Sequence, residues 1–325
     1  MKSDTTFNFS VPFKRHRTWR TVVGLALGLL LVMGNASAGS ILFIGNSFTF
    51  GWGSAVRFYR ADTVTDLNNQ GIGGVPALFK SFTTQAGLDY EVFLETQPAS
   101  GFDWHIENKL GAIGQRPWDI VILQSQSVLD PKKPGDATVL ISTTRQLAEF
   151  LRERNPAVEL RLTATWARAD QIYTPKGAWY GKTLEDMTRD LRAGYDQASA
   201  GTSGIKSVVP IGEAWLRAIQ TGVADANPYD GIDAGKINLW SYDSHHASVY
   251  GYYLQSLVLF GSITGRDPRS LGTNECSGFE LGLSPAQVDA LQQVAFDQLA
   301  ASDGVKALPL KLSKPVRSTQ CKRSR

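Results

Sequence analysis

Apolar positions along the chain fall into two rhythms. Short runs at 40–44, 90–95, 119–124, 159–164 and 206–211 are dense in Ile, Val, Leu and Phe, the mark of strands buried on both faces. At 75–86, 137–154, 182–198, 212–221, 248–264 and 284–301, apolar residues recur at the three-to-four spacing of helices with one buried face. The last of these opens on Ser284-Pro285, with Gln287 third after the cap, which predicts a well-capped start. Strand–helix alternation predicts an α/β fold with a parallel sheet covered on both faces. No internal repeat or low-complexity linker interrupts it. Residues 51–72, rich in glycine and polar side chains, read as an insertion before the first good helix.

The first strand ends abruptly. Ile41-Leu42-Phe43-Ile44 runs into Gly45-Asn46-Ser47, with Phe48, Thr49 and Phe50 behind. A turn accounts for the glycine and the asparagine, since both tolerate positive φ and Asn bonds its own backbone. It does not account for the serine. In parallel sheets, ligands sit at the carboxyl ends of the strands. Ser47 falls just past one such end, Gln124 at another, and Trp166 after a third.

Bulk composition narrows the field. The chain has 325 residues and is 42% hydrophobic, enough for one large α/β domain or two small ones. Its N-terminus is expected to lie outside that fold. Lys14, Arg15, Arg17 and Arg20 precede an apolar run over 22–33, followed by small residues at Ala36 and Ala38. This is the pattern of a secretory signal peptide over 1–38, cut after Ala38. A membrane anchor is the bland alternative, but the run is well short of the ~20 residues that span a bilayer. The expectation is therefore an exported protein, periplasmic or extracellular, without stable membrane insertion after cleavage.

Cleavage also changes the charge. The first 38 residues hold five Lys+Arg and one Asp, so a net charge of +3 becomes about −1. No global nucleic-acid footprint remains, and none is expected as a partner. A basic tail over 306–325 follows the domain expected at 39–305; it reads as a solvated end before it reads as a polyanion contact. Cys276 and Cys321 both survive cleavage. In an oxidising compartment they could form a disulfide, though spacing alone does not show proximity. Two cysteines so far apart make no metal or redox motif.

A serine nucleophile needs a base, and histidine is the usual one. The chain has four: His16, His105, His245 and His246. His16 leaves with the signal segment. The stretch SYDSHHASVYGYY, 241–253, carries Asp243 and His246 as D-x-x-H just before a helix. A loop there can aim His246 at the serine while Asp243 holds the other ring nitrogen. D-x-x-H is weak by itself. Asp243 or Ser248 could be simple helix caps. His245 could be the inward ring instead, and a metal pair would lack a supporting ligand cluster.

These blocks together resemble the SGNH (GDSL-like) hydrolase superfamily. Within it, LFIGNSFT with the later VILQ is similar to a branch of exported proteins known only as a domain of unknown function. The likeness runs from Ile41 to about Gly265. It implies a flavodoxin-like three-layer α/β/α sandwich and metal-independent ester hydrolysis without a cofactor. Position by position, Ser47 matches the nucleophile, His246 the base and Asp243 its orienting acid. The oxyanion donors it implies are the Ser47 N–H, a glycine N–H after the next sheet strand, and an asparagine side chain after the third. Gly101 fits the glycine, with Gly73 and Gly74 as competitors. The family's G-x-N-D is missing; Leu123-Gln124-Ser125-Gln126-Ser127 stands there, and Gln124 could supply the amide. Gln126 and the two serines could be ordinary loop residues.

Three functions follow as expectations. The first is a secreted esterase removing a small acyl group from a carbohydrate. The second is a lipid-type esterase or acyltransferase with the same triad. The third is a non-catalytic binding protein on this fold. Trp104, His105, Trp166, Trp179 and Tyr180 could line a sugar site or simply pack. Trp215, inside a helical run, is expected in the core.

Overall fold

The computed structural model of the chain describes residues 39–302 continuously. The described fold lies within the unit Ala38–Arg325. The expected signal segment, its cleavage site and the basic tail lie outside the described residues. Cys276 is disulfide-bonded; Cys321, the other cysteine of the chain, also lies outside them. Among the described residues, no helix is long and apolar enough to cross a membrane.

Six strands form one all-parallel sheet. They are β1 (Gly39–Gly45), β2 (Thr65–Asp66), β3 (Tyr90–Thr96), β4 (Ile120–Leu123), β5 (Glu159–Ala164) and β6 (Ile205–Pro210), in the order β2-β3-β1-β4-β5-β6. Ile41 to Ile44 are fully buried, as a central strand covered on both faces requires. Among the described residues, ten α-helices accompany the sheet: α1 (Ser47–Phe50), α2 (Gly74–Gln85), α3 (Phe102–Ile113), α4 (Thr138–Arg154), α5 (Ala169–Tyr173), α6 (Leu184–Ala200), α7 (Ile211–Gln220), α8 (Val249–Thr264), α9 (Cys276–Glu280) and α10 (Pro285–Ala301). Helices α3, α4 and α6 pack in one row, and α2, α8 and α10 in another, giving three layers.

The five long strands and most helices fall where the apolar rhythm puts them. Strand β2, helix α3 and the short helices α1, α5 and α9 do not. The 51–72 segment holds β2 and two 3-10 turns, Ala55–Phe58 and Ala61–Thr63; a two-residue strand is too short to show a period. Helix α3 was not expected. Its buried residues are Phe102, His105 and Ile113, so a histidine takes one of the few inward positions and breaks the apolar pattern.

The order places the site. Strand β1 lies at the sheet centre, with β3 on one side and β4 on the other. From β1 the chain runs out to the edge strand β2, steps back in to β3 beside β1, then crosses to β4 on the other side. That reversal opens a crevice at the carboxyl ends of the central strands, where the turn after β1 carries Ser47.

Helix α10 starts with the expected capping box: Ser284 Oγ accepts from Gln287 N (3.3 Å) and Gln287 Oε1 from Ser284 N (2.8 Å). The Ser284→Ala variant should lose about 1 kcal/mol of stability, read as a lower midpoint in urea denaturation at unchanged slope.

Candidate active site

The turn after β1 is built to expose one hydroxyl. Gly45 has no room for a side chain, since a Cβ would meet Gln124 Oε1 at 2.8 Å as well as the Thr49 side chain. Asn46 caps α1, its Oδ1 accepting from Phe48 N (3.1 Å). Its Nδ2 donates to Ser100 O (2.9 Å) and Ser125 O (3.2 Å), tying the turn to the loops after β3 and β4. Ser47 is therefore the first helical residue after a braced cap. From behind, the Tyr252 hydroxyl on α8 donates to Ser47 O and Trp52 O.

The second half of the site is the loop 241–247, and it is equally constrained. Ser241 N donates to His246 O (2.7 Å), Ser241 Oγ to Gly53 O (3.0 Å), and Asp170 N to Ser244 O (3.1 Å). Ser244 adopts a positive φ of 54°, which turns the chain sharply between Asp243 and His246. Beneath the loop, Trp166 stacks on Phe48 and on Trp215, each with centroids 4.5 Å apart, and its Nε1 donates to His245 O. Trp166, Trp179 and Trp215 are core residues. None of the three presents a face to a sugar.

Across this arrangement Ser47, His246 and Asp243 come together. Ser47 Oγ lies 2.8 Å from His246 Nε2. His246 Nδ1 lies 2.6 Å from Asp243 Oδ2, and Asp243 Oδ1 accepts from the backbone N–H groups of His245 and His246. Burial raises the Asp243 carboxyl, but these hydrogen bonds outweigh it and hold the group below the usual carboxylate range. Burial pushes His246 below an ordinary histidine, against the opposing pull of Asp243. His246, not His245, faces the serine. His245 stacks on His246 with centroids 4.1 Å apart and opens on the cleft; burial, Arg168 and His246 push it down to about 3.

Asp243, His245 and His246 place their donor atoms within 4.8 Å of one another. The facing atoms of Asp243 and His246 are already bonded to each other, and the far ring nitrogen of His246 to Ser47. The donor set fits a proton relay better than a metal.

A cleft of about 350 Å³ opens in front of Ser47. Its walls come from four strand ends: Phe48 and Trp52 after β1, Pro98 and Ala99 after β3, Gln126, Ser127, Val128 and Pro131 after β4, and Arg168 after β5. The sequence reading missed Arg168. It forks onto Asp170 (3.0 and 2.6 Å) and donates to Ser127 Oγ (3.2 Å), so it spans the floor between the β4 and β5 loops. Its position after β5 was the only sequence signal for it.

The oxyanion assignment needs correction. Gln124 is buried, its Oε1 accepting from Asn46 N (3.0 Å) and Thr49 Oγ1 (2.8 Å) and its Nε2 donating to Ser125 O. It braces the Ser47 turn and is not among the residues lining the cleft. The glutamine in the cleft is Gln126, two residues on, with Nε2 donating to Ala99 O (2.7 Å). The physical reason is that β4 ends at Leu123, so Gln124 still points into the packed strand end. Gly101 is the cap position of α3, and a Cβ there would meet Gln126 and Ser125. It is not among the cleft-lining residues, whose β3 wall is Pro98 and Ala99.

No family model and no curated protein matches the chain. Solved structures do. A DUF4886 family protein from Bacteroides uniformis superposes with a TM-score of 0.57 at 17% identity, over 83% of this chain and 98% of that one. A protein described as an SGNH hydrolase from Slackia heliotrinireducens gives 0.47 at 19%, over 70% and 99%. A family 3 carbohydrate esterase from Clostridium thermocellum gives 0.44 at 14%, over 69% and 94%. The chain shares the fold of the Bacteroides uniformis DUF4886 family protein. Likeness at this identity speaks for the fold, and the chemistry rests on the residues themselves.

If Gln124 braces the turn, Gln124→Leu leaves Asn46 N and Thr49 Oγ1 without their buried acceptor. That variant should lose about 1–3 kcal/mol of folding stability, visible as a lower thermal midpoint in calorimetry.

Proposed function

We propose that the protein is an exported serine esterase of SGNH type, removing a small acyl group from a carbohydrate through Ser47, His246 and Asp243. One observation carries the reading: a buried hydroxyl, an imidazole and a carboxylate stand in line at 2.8 and 2.6 Å at the bottom of an open cleft.

Ser47 Oγ attacks the ester carbonyl as His246 Nε2 takes its proton. Asp243 holds the ring by Nδ1 and stabilises the imidazolium that forms. The tetrahedral oxyanion rests on the Ser47 backbone N–H and on the Gln126 amide, which has a second N–H beyond the one given to Ala99. His246 then protonates the departing alkoxide. The acyl-serine is hydrolysed when a water, deprotonated by the same ring, attacks it.

A cleft of about 350 Å³ suits a small acyl group. At its mouth, Trp52 lines the opening and Tyr242, 83% exposed, lies beside Gly53. Such rings offer flat apolar faces to a sugar, with a polar edge left in water. They come from the 51–72 segment and the histidine loop. The apolar wall of Phe48, Val128, Pro98 and Pro131 favours the second reading, an esterase for longer chains.

With p-nitrophenyl esters, acetate should turn over faster than octanoate, and Ser47→Ala should fall by about 10⁴ or more, to background. Faster octanoate turnover would move the assignment to the lipid-type enzyme, and undiminished Ser47→Ala turnover would remove the mechanism.

The base works only when neutral, and His246 titrates below the ordinary histidine value of 6.5. The acid limb of kcat/KM should therefore have its midpoint below pH 6.5, activity falling as pH drops through it. Asp243 raises His246, so Asp243→Asn should move that limb further down as well as slow the reaction. A limb above pH 7 in the parent enzyme would contradict the assignment.

A further inference from the structure

Behind the β3 wall lies a second serine–histidine–acid array that the reaction does not use. His105, fully buried on α3, has Nδ1 against Glu95 Oε2 and Nε2 3.0 Å from Ser100 Oγ. Glu95 is also fully buried, and its Oε1 accepts from Asn68 Nδ2 (3.1 Å). Lys109 Nζ donates to Asn68 Oδ1 (2.7 Å). At the other end, Ser100 Oγ reaches Gln97 O (2.9 Å) and Ser100 O accepts from Asn46 Nδ2 (2.9 Å). An unbroken polar line thus runs from half-buried Lys109 to the residue that caps the Ser47 helix. Ser100 is buried and does not line the cleft, so it is no second nucleophile.

We propose that Glu95, His105 and Ser100 form a positioning relay that holds the 97–101 loop, the β3 wall of the cleft, in register with the Ser47 turn. The proposal rests on the esterase reading for its kinetic consequence, but not for its structural one.

Two observations favour positioning over plain core packing. An apolar residue at 105 would continue the buried stripe of Phe102 and Ile113, whereas buried polar arrays add little stability for their desolvation and are better explained by specificity. Next to Ser100, Ala99 holds a left-handed φ of 55° in the cleft wall. A non-glycine residue keeps that conformation only where its surroundings over-determine it. Here those surroundings are Ser100 on one side and the Gln126 amide on the Ala99 carbonyl. The relay fixes the loop, the loop fixes Ala99, and Gln126 in turn is aimed across the cleft.

The test uses the full chain with Ser100→Ala, His105→Gln and the conservative Ser100→Thr. Hydrogen–deuterium exchange should accelerate at least tenfold in peptides covering 46–50 and 97–102 for the first two variants, and return towards the parent rate with threonine. On p-nitrophenyl acetate, kcat per fluorophosphonate-titrated Ser47 should fall at least tenfold, with KM within threefold. Exchange at the parent rate in both peptides of the folded Ser100→Ala and His105→Gln proteins would overturn the relay. So would a uniform rise in exchange across the sheet with unchanged kcat per site, which is the signature of general destabilisation. Should Ser47→Ala hydrolyse the ester as fast as the parent, the esterase reading fails and the exchange data still decide the relay.

Discussion

The hydrogen bond between Ser47 Oγ and His246 Nε2 joins residues 199 positions apart. A hydroxyl is a poor nucleophile at its free pKa, and only a base within about 3 Å changes that. Two tightly constrained segments meet there. One segment is a strand end that cannot carry a side chain at Gly45. The other is a loop bent by the left-handed Ser244 so that Asp243 reaches both its neighbours' N–H groups and the ring of His246.

Polar and apolar supports divide the work. Hydrogen bonds from Asn46 and Gln124 fix the serine turn to the loops after β3 and β4, where direction matters. Stacked rings support the histidine loop from below: Phe48, Trp166 and Trp215 form a continuous column, and Trp240 donates to Ala167 O beside it. Close packing resists compression and leaves the imidazole little freedom. The same burial depresses His246, so the packing that positions the ring also favours its neutral form.

Much of this was legible in residue order. Apolar runs found five strands, and helical spacing found six long helices, because both signals come from burial repeated over many residues. Ser47, Asp243 and His246 were legible because a serine after a core strand and a histidine near a cap have few competing uses, and few histidines were on offer. The misses have separate causes. β2 is too short to show a period, and α3 hides its inward face behind a histidine. Gln124 and Gln126 are two positions apart and chemically identical, and only the point where β4 stops decides which one enters the cleft.

The sequence by itself determined the alternation of layers, the serine turn and the chemistry its partners could supply, since local pattern and residue type suffice for those. Tertiary structure decided which imidazole faces the hydroxyl, which glutamine faces the cleft, and that Trp166 and Trp179 pack in the core while Trp52 lines the cleft. Those choices depend on distances between segments far apart in the chain, and a difference of one or two residues at a strand end changes them without altering any local pattern.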